Sequence, residues 1–381
     1  MTDSASHDAH ATVPPDGSVF VRLALFGYAL LILYASLYPF VGWQSHGLPP
    51  LAYVSAPLPH YWTVFDVVTN VAAYMPFGML LVLAIYPRIR GALALLVVLG
   101  AAVLWSGSME AAQTFLPTRV PSNLDLLTNV GGAVVGGLIG LLSSGFLLGQ
   151  SRLQLLRRRW FLPEASRGLI VICAWPLAQI YPQGYLFGQG QLMPILSDWV
   201  SDLVGNPVDL GGLLRPDLLL SAEQFWLFET IITAFGMTGA VLTLLCLLRK
   251  KAPRWMLALL TIVLALAVKS MATALLFAPE NAFVWLTPGA RGGVLLSLLM
   301  LAALAFASQK IQRRSAVLML LIGLLAVNFI PPNPYFLATL QGWVQGKFLS
   351  FNGAAQFLSL VWPFFALWFL MHPVHRVRAA G

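Results

Sequence analysis

Apolar runs near 20 residues long recur along this chain, and they constrain its fold more than any other feature. A run of this length crosses the ~30 Å hydrocarbon core of a bilayer when it is helical. Because a helix satisfies its own backbone hydrogen bonds in lipid, the runs predict an all-α, polytopic transmembrane helical bundle of about ten spans. With 59% hydrophobic and 9% charged residues, the chain has the composition that such a bundle needs. The predicted spans are 19–41, 67–86, 91–113, 124–148, 168–187, 223–248, 255–277, 292–308, 315–331 and 353–371, and the ninth is short.

Basic residues cluster in every second connection, which predicts the orientation of the bundle. Clusters follow the second, fourth, sixth, eighth and last spans, whereas the other connections carry only Arg119, Arg215, Arg291 and Lys347. By the positive-inside rule, the clusters and both termini lie in the cytoplasm. These short clusters also account for the net charge of +8, so no nucleic-acid partner is predicted.

The chain is predicted to divide into four segments. They are a disordered cytoplasmic tail (1–18), a four-span module (19–150), a basic cytoplasmic loop (151–167) and a six-span membrane region (168–381). The tail has no Lys or Arg, so it lacks the basic region of a signal peptide. In the outward loop 188–222, apolar residues recur with helical period, which predicts a helix on the outer membrane surface or a lid on the spans. Residues 335–348 repeat that pattern more weakly.

Two nearly identical hexapeptides concentrate polar residues in the four-span module. Asp66-Val-Val-Thr-Asn70-Val opens the second span, and Asp125-Leu-Leu-Thr-Asn129-Val opens the fourth. Residues at i and i+4 share a helix face, so each Asp lies beside its Asn. Both spans enter the membrane in the same direction, which predicts parallel neighbours. A small-residue stripe on the fourth span predicts close helix packing. Its members are Gly132, Gly136 and Gly140.

Three further polar residues fall on the same outward side. Glu110 and Gln113 end the third span on one face, and Arg119 lies in the connection that follows. Ionisable groups that face a bundle interior are functional candidates, so the seven residues form a predicted binding patch. Alternatively, the acids cap helix starts, and Asn and Arg side chains lock the helices together. Both interpretations remain open at this stage.

The order of these residues resembles a known family. The string Asp66-x3-Asn70-x5-Pro76-x-Gly78, followed by Glu110-x2-Gln113 and Arg119-x2-Ser122-x2-Asp125-x3-Asn129-x-Gly131, is similar to the VanZ-like family of bacterial membrane proteins. The similarity covers about residues 25–148. It implies a multi-pass protein of the bacterial inner (cytoplasmic) membrane, with the seven polar residues as the family signature. The founding member is linked to teicoplanin resistance, which implies a cell-envelope role and an effect on susceptibility to glycopeptide-type antibiotics.

Three classes of function are compatible with these residues. The patch and the resemblance favour a protein that binds or shields an envelope component, such as a lipid or glycan precursor. The first alternative is a membrane enzyme acting on a lipid-linked precursor, with Glu110 and either Asp66 or Asp125 in acid–base roles. The second is a proton-coupled transporter. In that case Glu229 and Lys269, in the sixth and seventh spans, form an intramembrane ion pair or a coupling site.

No cofactor or metal site is predicted. The histidines lie in tails or loops, and His372 and His375 have no acidic partner nearby. Cys173 and Cys246 fall in apolar spans and are predicted to be inert thiols. The sequence carries no glycine-rich phosphate loop or nucleophile elbow. These features favour a binding protein over an enzyme.

Overall fold

The secondary-structure elements of the described residues are helices. The computed structural model describes residues 16–38, 40–45, 47, 49–148, 152–162, 165–215, 220–277, 279–331 and 349–372. Its helices are α1 (Asp16–Leu37), α2 (Val64–Ile85), α3 (Gly91–Gln113), α4 (Asn123–Leu148), α5 (Arg152–Trp160), α6 (Ala165–Leu177), α7 (Met193–Val204), α8 (Leu210–Leu214), α9 (Ala222–Leu247), α10 (Arg254–Leu276), α11 (Pro288–Leu304), α12 (Gln309–Phe329) and α13 (Leu349–Met371). Within these ranges, eight helices are long and apolar enough to cross a membrane, and α6 and α11 are shorter apolar helices. The predicted all-α polytopic bundle is therefore confirmed.

Each predicted span contains one apolar helix, and the largest differences from the predicted boundaries are in the fifth and ninth spans. The fifth span was expected to be helical to residue 187, whereas α6 ends at Leu177. Residues 178–192 are not helical, although most of them are buried. Apolar composition reports burial and not backbone conformation, and Pro182, Gly184 and Gly188 interrupt a helix here. The ninth span is longer than expected, because α12 starts at Gln309.

Two of the predicted segments also differ in detail. The basic segment 151–167 contains the helix α5, and Arg157 of that helix donates a hydrogen bond to the Ser166 hydroxyl. The helix α1 begins at Asp16, inside the predicted tail, while residues 1–15 and 332–348 lie outside the described residues. The helix predicted within the loop 188–222 is present as α7. None of its residues is fully buried, and Trp199 and Leu203 are exposed.

The helices α2 and α4 run parallel and touch backbone to backbone. Gly132 packs on Val71, and one turn later Gly136 packs on Met75. Equal steps along both helices mean that they point the same way. The predicted glycine stripe and parallel neighbours are thus confirmed. Small residues permit this approach, because an added Cβ would collide with the facing backbone. Apolar side chains that are exposed on the surface of the bundle, such as Leu142, are suited to lipid contact.

The helix α9 is the centre of the six-span region. Most of its residues are buried, and α6, α10, α11 and α12 pack around it. Gly293 of α11 lies against Thr233 of α9, which brings these two helices close together. The four-span module joins this region through α1, which contacts α6 and α13.

Candidate functional site

Asp66 closes a capping box at the start of α2. The Thr63 hydroxyl accepts a hydrogen bond from the Asp66 backbone N–H, and the Asp66 carboxylate accepts from the Thr63 backbone N–H at 3.1 Å. The Thr63 hydroxyl also donates to this carboxylate at 2.8 Å. The reciprocal bonds satisfy backbone donors that a helix start leaves unpaired. Asp66 is exposed, so its main structural role is to begin α2.

The start of α4 has a related arrangement with one partner exchanged. The Ser122 hydroxyl accepts from the Asp125 backbone N–H, as Thr63 does for Asp66. However, the Ser122 backbone N–H donates to the Glu110 carboxylate of α3 at 2.8 Å. The Asp125 carboxylate instead accepts a hydrogen bond from the Asn70 side chain of α2 at 2.9 Å. Glu110 therefore joins α3 to α4, and Asp125 joins α4 to α2.

Deeper polar groups continue this network between α2, α3 and α4. The Asn129 side chain donates to the Ser106 hydroxyl at 3.0 Å, and both residues are buried. The Tyr74 hydroxyl, on α2, lies close to Ser106 and Glu110. Glu110 is only 3% exposed, so its carboxylate is surrounded by protein groups and not by water. The Ser122 N–H and the positive dipole end at the start of α4 offset part of the cost of burying this carboxylate.

Gln113 and Arg119 form a second group at the end of α1. The Gln113 side chain donates to the Ser36 carbonyl at 3.0 Å. The Arg119 guanidinium donates to the carbonyls of Ala35 at 3.2 Å and Tyr38 at 3.0 Å. The last carbonyls of a helix carry its negative dipole end, which a cation neutralises. Burial lowers the pKa of Arg119, and the Glu110 carboxylate acts in the opposite direction. The two groups are therefore coupled through the charges of Arg119 and Glu110.

The loop between α1 and α2 covers this end of the module. Gln44 donates its backbone N–H to the Phe115 carbonyl, and the Tyr53 hydroxyl donates to the Gly107 carbonyl. The Asn123 side chain at the start of α4 donates to the Ala56 carbonyl. The same loop exposes large aromatic side chains, among them Tyr61 at 96% and Trp62 at 56%. The polar groups thus have an aromatic, partly apolar rim.

The structure brings most of the predicted patch into contact, but through residues that the patch did not include. Asn70, Glu110, Asp125 and Asn129 connect three helices, whereas Gln113 and Arg119 hold the α1 end and Asp66 caps α2. The hydroxyl partners of these residues, Thr63, Ser122 and Ser106, were not part of the predicted patch. The pattern of a Thr or Ser three residues before each Asp is the capping-box signal and could have identified the first two.

Glu229 and Lys269 have different partners in the described part of the chain. The Lys269 ammonium donates to the Tyr181 carbonyl at 3.4 Å, in the segment after α6. Glu229 lies beside Thr287 and Gly289 at the start of α11, and its Oε2 atom has no hydrogen-bond partner among the described residues. Each buried charge therefore lies near a helix end of opposite polarity, which partly replaces the predicted direct ion pair.

Comparison with known proteins bears on the four-span module. A family model described as VanZ/LLP1 matches residues 21–144. The chain carries a VanZ-like module. The match includes all seven predicted patch residues and ends before α5. No curated protein and no solved structure matches the chain. The protein is therefore a multi-pass membrane protein with a VanZ-like module, and the region from α6 onward lies outside the family match.

Proposed function

We propose that the VanZ-like module binds a cell-envelope component at the outward end of α2, α3 and α4 and thereby changes susceptibility to glycopeptide-type antibiotics. The observation that carries this proposal is the buried Glu110 carboxylate, which is shared between α3 and the start of α4. Capping alone does not require a buried carboxylate from another helix, because the exposed Asp66 caps α2 from within its own helix. Burying an acid costs solvation free energy, and a role in binding explains that cost better than packing alone does.

The chemistry of the patch suggests which component binds. The Asp125 carboxyl interacts electrostatically with both Asp66 and Glu110, and Glu110 also interacts with the Arg119 guanidinium, so hydrogen-bond acceptors and negative charge predominate. Carboxylates accept hydrogen bonds from hydroxyl and amine groups. The aromatic side chains of the rim have the amphipathic character typical of a membrane interface. These features support a hydroxyl- or amine-bearing head group of an envelope lipid or of a lipid-linked glycan precursor.

The test compares variants that change the charge of the patch while the protein remains folded. Glu110→Gln keeps an acceptor for the Ser122 N–H but removes the charge, and Arg119→Ala removes the cation. Glu223→Gln and Arg291→Ala are matched controls, because both residues are exposed and lie outside the module. Strains expressing each variant at equal membrane levels are compared with wild type and a deletion strain for antibiotic susceptibility. The host is Gram-positive or has a permeabilised outer membrane, so that glycopeptides reach their target.

We expect Glu110→Gln and Arg119→Ala to reproduce the susceptibility of the deletion strain, and both controls to match wild type. If the two module variants accumulate normally and also match wild type, the patch does not act on the envelope. If wild type and the deletion strain are equally susceptible to teicoplanin and to other envelope-directed antibiotics, the proposed phenotype is refuted.

A further inference from the structure

A cavity in the six-span region lies between one end of α12 and one end of α13. Its volume is about 200 Å³, and it is lined by two basic and three apolar residues: Arg313, Arg314, Val317, Leu370 and Met371. The two arginines follow the first turn of α12, and Val317 lies one turn after Arg313. Leu370 and Met371 are the last residues of α13. Charged and apolar side chains therefore meet in a single cavity.

Neither of the two arginines has a partner that neutralises it among the described residues. Within that part of the chain, neither side chain forms a hydrogen bond or an ion pair, although Arg313 is partly buried. Lys310 lies in the first turn of α12, which contains no acidic residue. Because the start of a helix carries its positive dipole end, these cations raise a potential that is already positive. The sequence has no Asp or Glu after Glu280 that could offset them.

The cavity lies where the polar and apolar regions of a membrane meet. Both α12 and α13 are long and apolar enough to cross a membrane, and the cavity is at one end of each. Met371 and Trp368, which precedes it by one turn, are both more than half exposed. Tryptophan near a helix end is typical of the membrane interface. The basic residues predict that this end faces the cytoplasm, where the leaflet carries anionic lipids.

A phosphate group attached to acyl chains matches both parts of this lining. Guanidinium groups bind phosphate oxygens through paired, charge-assisted hydrogen bonds. Apolar residues offer contact to an acyl chain, and basic pockets between transmembrane helices hold anionic head groups in other membrane proteins. A zwitterionic lipid has the same phosphate, but its ammonium group would lie near two guanidinium groups and be repelled. The lining therefore favours a head group with a net negative charge.

We propose that the cavity between α12 and α13 binds one anionic phospholipid of the phosphatidylglycerol type. Arg313 and Arg314 bind its phosphate, and the acyl chains extend past Val317 and Met371 into the hydrocarbon. The bound head group supplies the negative charge that the start of α12 lacks, and the lipid contacts both helices. This site belongs to the region outside the family match, so it is independent of the function proposed for the VanZ-like module.

The test measures thermal unfolding of the purified full-length protein in dodecyl maltoside as phosphatidylglycerol or phosphatidylcholine with the same acyl chains is added. Native mass spectrometry counts the lipids that stay bound. For wild type, we expect phosphatidylglycerol to reach half of its stabilising effect at a lipid fraction at least about tenfold lower than phosphatidylcholine, with one lipid retained. Inorganic phosphate should not reproduce the stabilisation, because it lacks the acyl chains that contact the apolar lining.

Two paired variants separate this site from a general attraction of anionic lipid to basic residues. Arg313→Gln combined with Arg314→Gln removes both guanidinium groups from the cavity. Lys250→Gln combined with Lys251→Gln is the matched control, because it removes the same charge from two exposed residues between α9 and α10 that do not line the cavity. We expect the arginine pair to raise the phosphatidylglycerol midpoint at least about tenfold. The lysine pair should raise it about threefold at most, since salt at about 0.15 M screens exposed charges.

Single variants are used if the arginine pair does not accumulate. Arg314→Gln is then compared with Lys250→Gln, because both residues are exposed and neither change opens a buried gap. The midpoint should rise about threefold for Arg314→Gln and stay unchanged for the control. The proposal is refuted if both lipids have the same midpoint with wild type, or if the lysine variant raises the midpoint as much as the arginine variant. Equal stabilisation by inorganic phosphate and phosphatidylglycerol also refutes it, since the cavity would then take a free anion.

Discussion

Adding one methyl group at Gly136 should separate α2 from α4 and destabilise the VanZ-like module. A Cβ at this position would fall on the carbonyl oxygen of Met75, 2.6 Å from its carbonyl carbon and 2.8 Å from its Cα atom. These are backbone atoms of a helix, so they cannot rotate away as a flexible side chain could. Gly136→Ala can therefore be accommodated only if the two helices move apart.

The size of the effect follows from the required displacement. Carbon atoms in contact are normally about 3.5 Å apart, so the helices must separate by about 1 Å. A gap of that size removes roughly a quarter to a half of the dispersion energy of each contact across it. Overpacking of a rigid site typically costs about 1–3 kcal/mol. We expect a loss near 3 kcal/mol, because the adjacent contact between Gly132 and Val71 is also opened. This corresponds to roughly a hundredfold shift in the folding equilibrium.

The assay is reversible unfolding of purified protein in SDS and mild detergent mixtures, with thermal melting as a second measurement. Gly131→Ala is the matched control, since it lies in the same helix and an added Cβ there has no atom within 4 Å. Alanine favours a helix over glycine by about 0.5–1 kcal/mol, so this control should be neutral or slightly stabilising. Equal stability of Gly136→Ala and Gly131→Ala would refute the inferred backbone contact.

Three further predictions concern orientation, buried charges and the outward helix. In a cysteine-free background, Ser45→Cys should react with an impermeant thiol reagent from outside, whereas Arg158→Cys should react only after the membrane is opened; the reverse pattern would invert the topology. In a double-mutant cycle, Glu229→Gln and Lys269→Met should be additive within about 0.5 kcal/mol, because their partners differ, and a coupling above about 1 kcal/mol would indicate a direct ion pair. Brominated lipids should quench Trp199, measured as the difference from Trp199→Phe, if α7 lies in the interface; an unquenched signal would favour a lid away from lipid.

Local sequence was sufficient for the features that depend on composition and short-range spacing. Apolar runs located the helices, because burial in lipid requires an apolar, helical chain irrespective of its neighbours. The spacing of Gly132, Gly136 and Gly140 predicted a packing face, since residues four apart share one side of a helix. The hexapeptides marked the starts of α2 and α4, and the polar signature agreed with the family match over residues 21–144.

Only the tertiary structure decided which polar groups meet. Asp66 and Asp125 occupy the same position in two matching hexapeptides. The Asp66 carboxylate accepts a hydrogen bond within its own capping box. The Asp125 carboxylate instead accepts from Asn70, because the Ser122 N–H donates to Glu110. The end of α6 at Leu177 was likewise hidden in an apolar run. Buried backbone can leave the helix there because side chains distant in sequence supply its hydrogen bonds, as Asn328 does for Gly190. Such partners are fixed by the packing of whole helices, which local spacing does not encode.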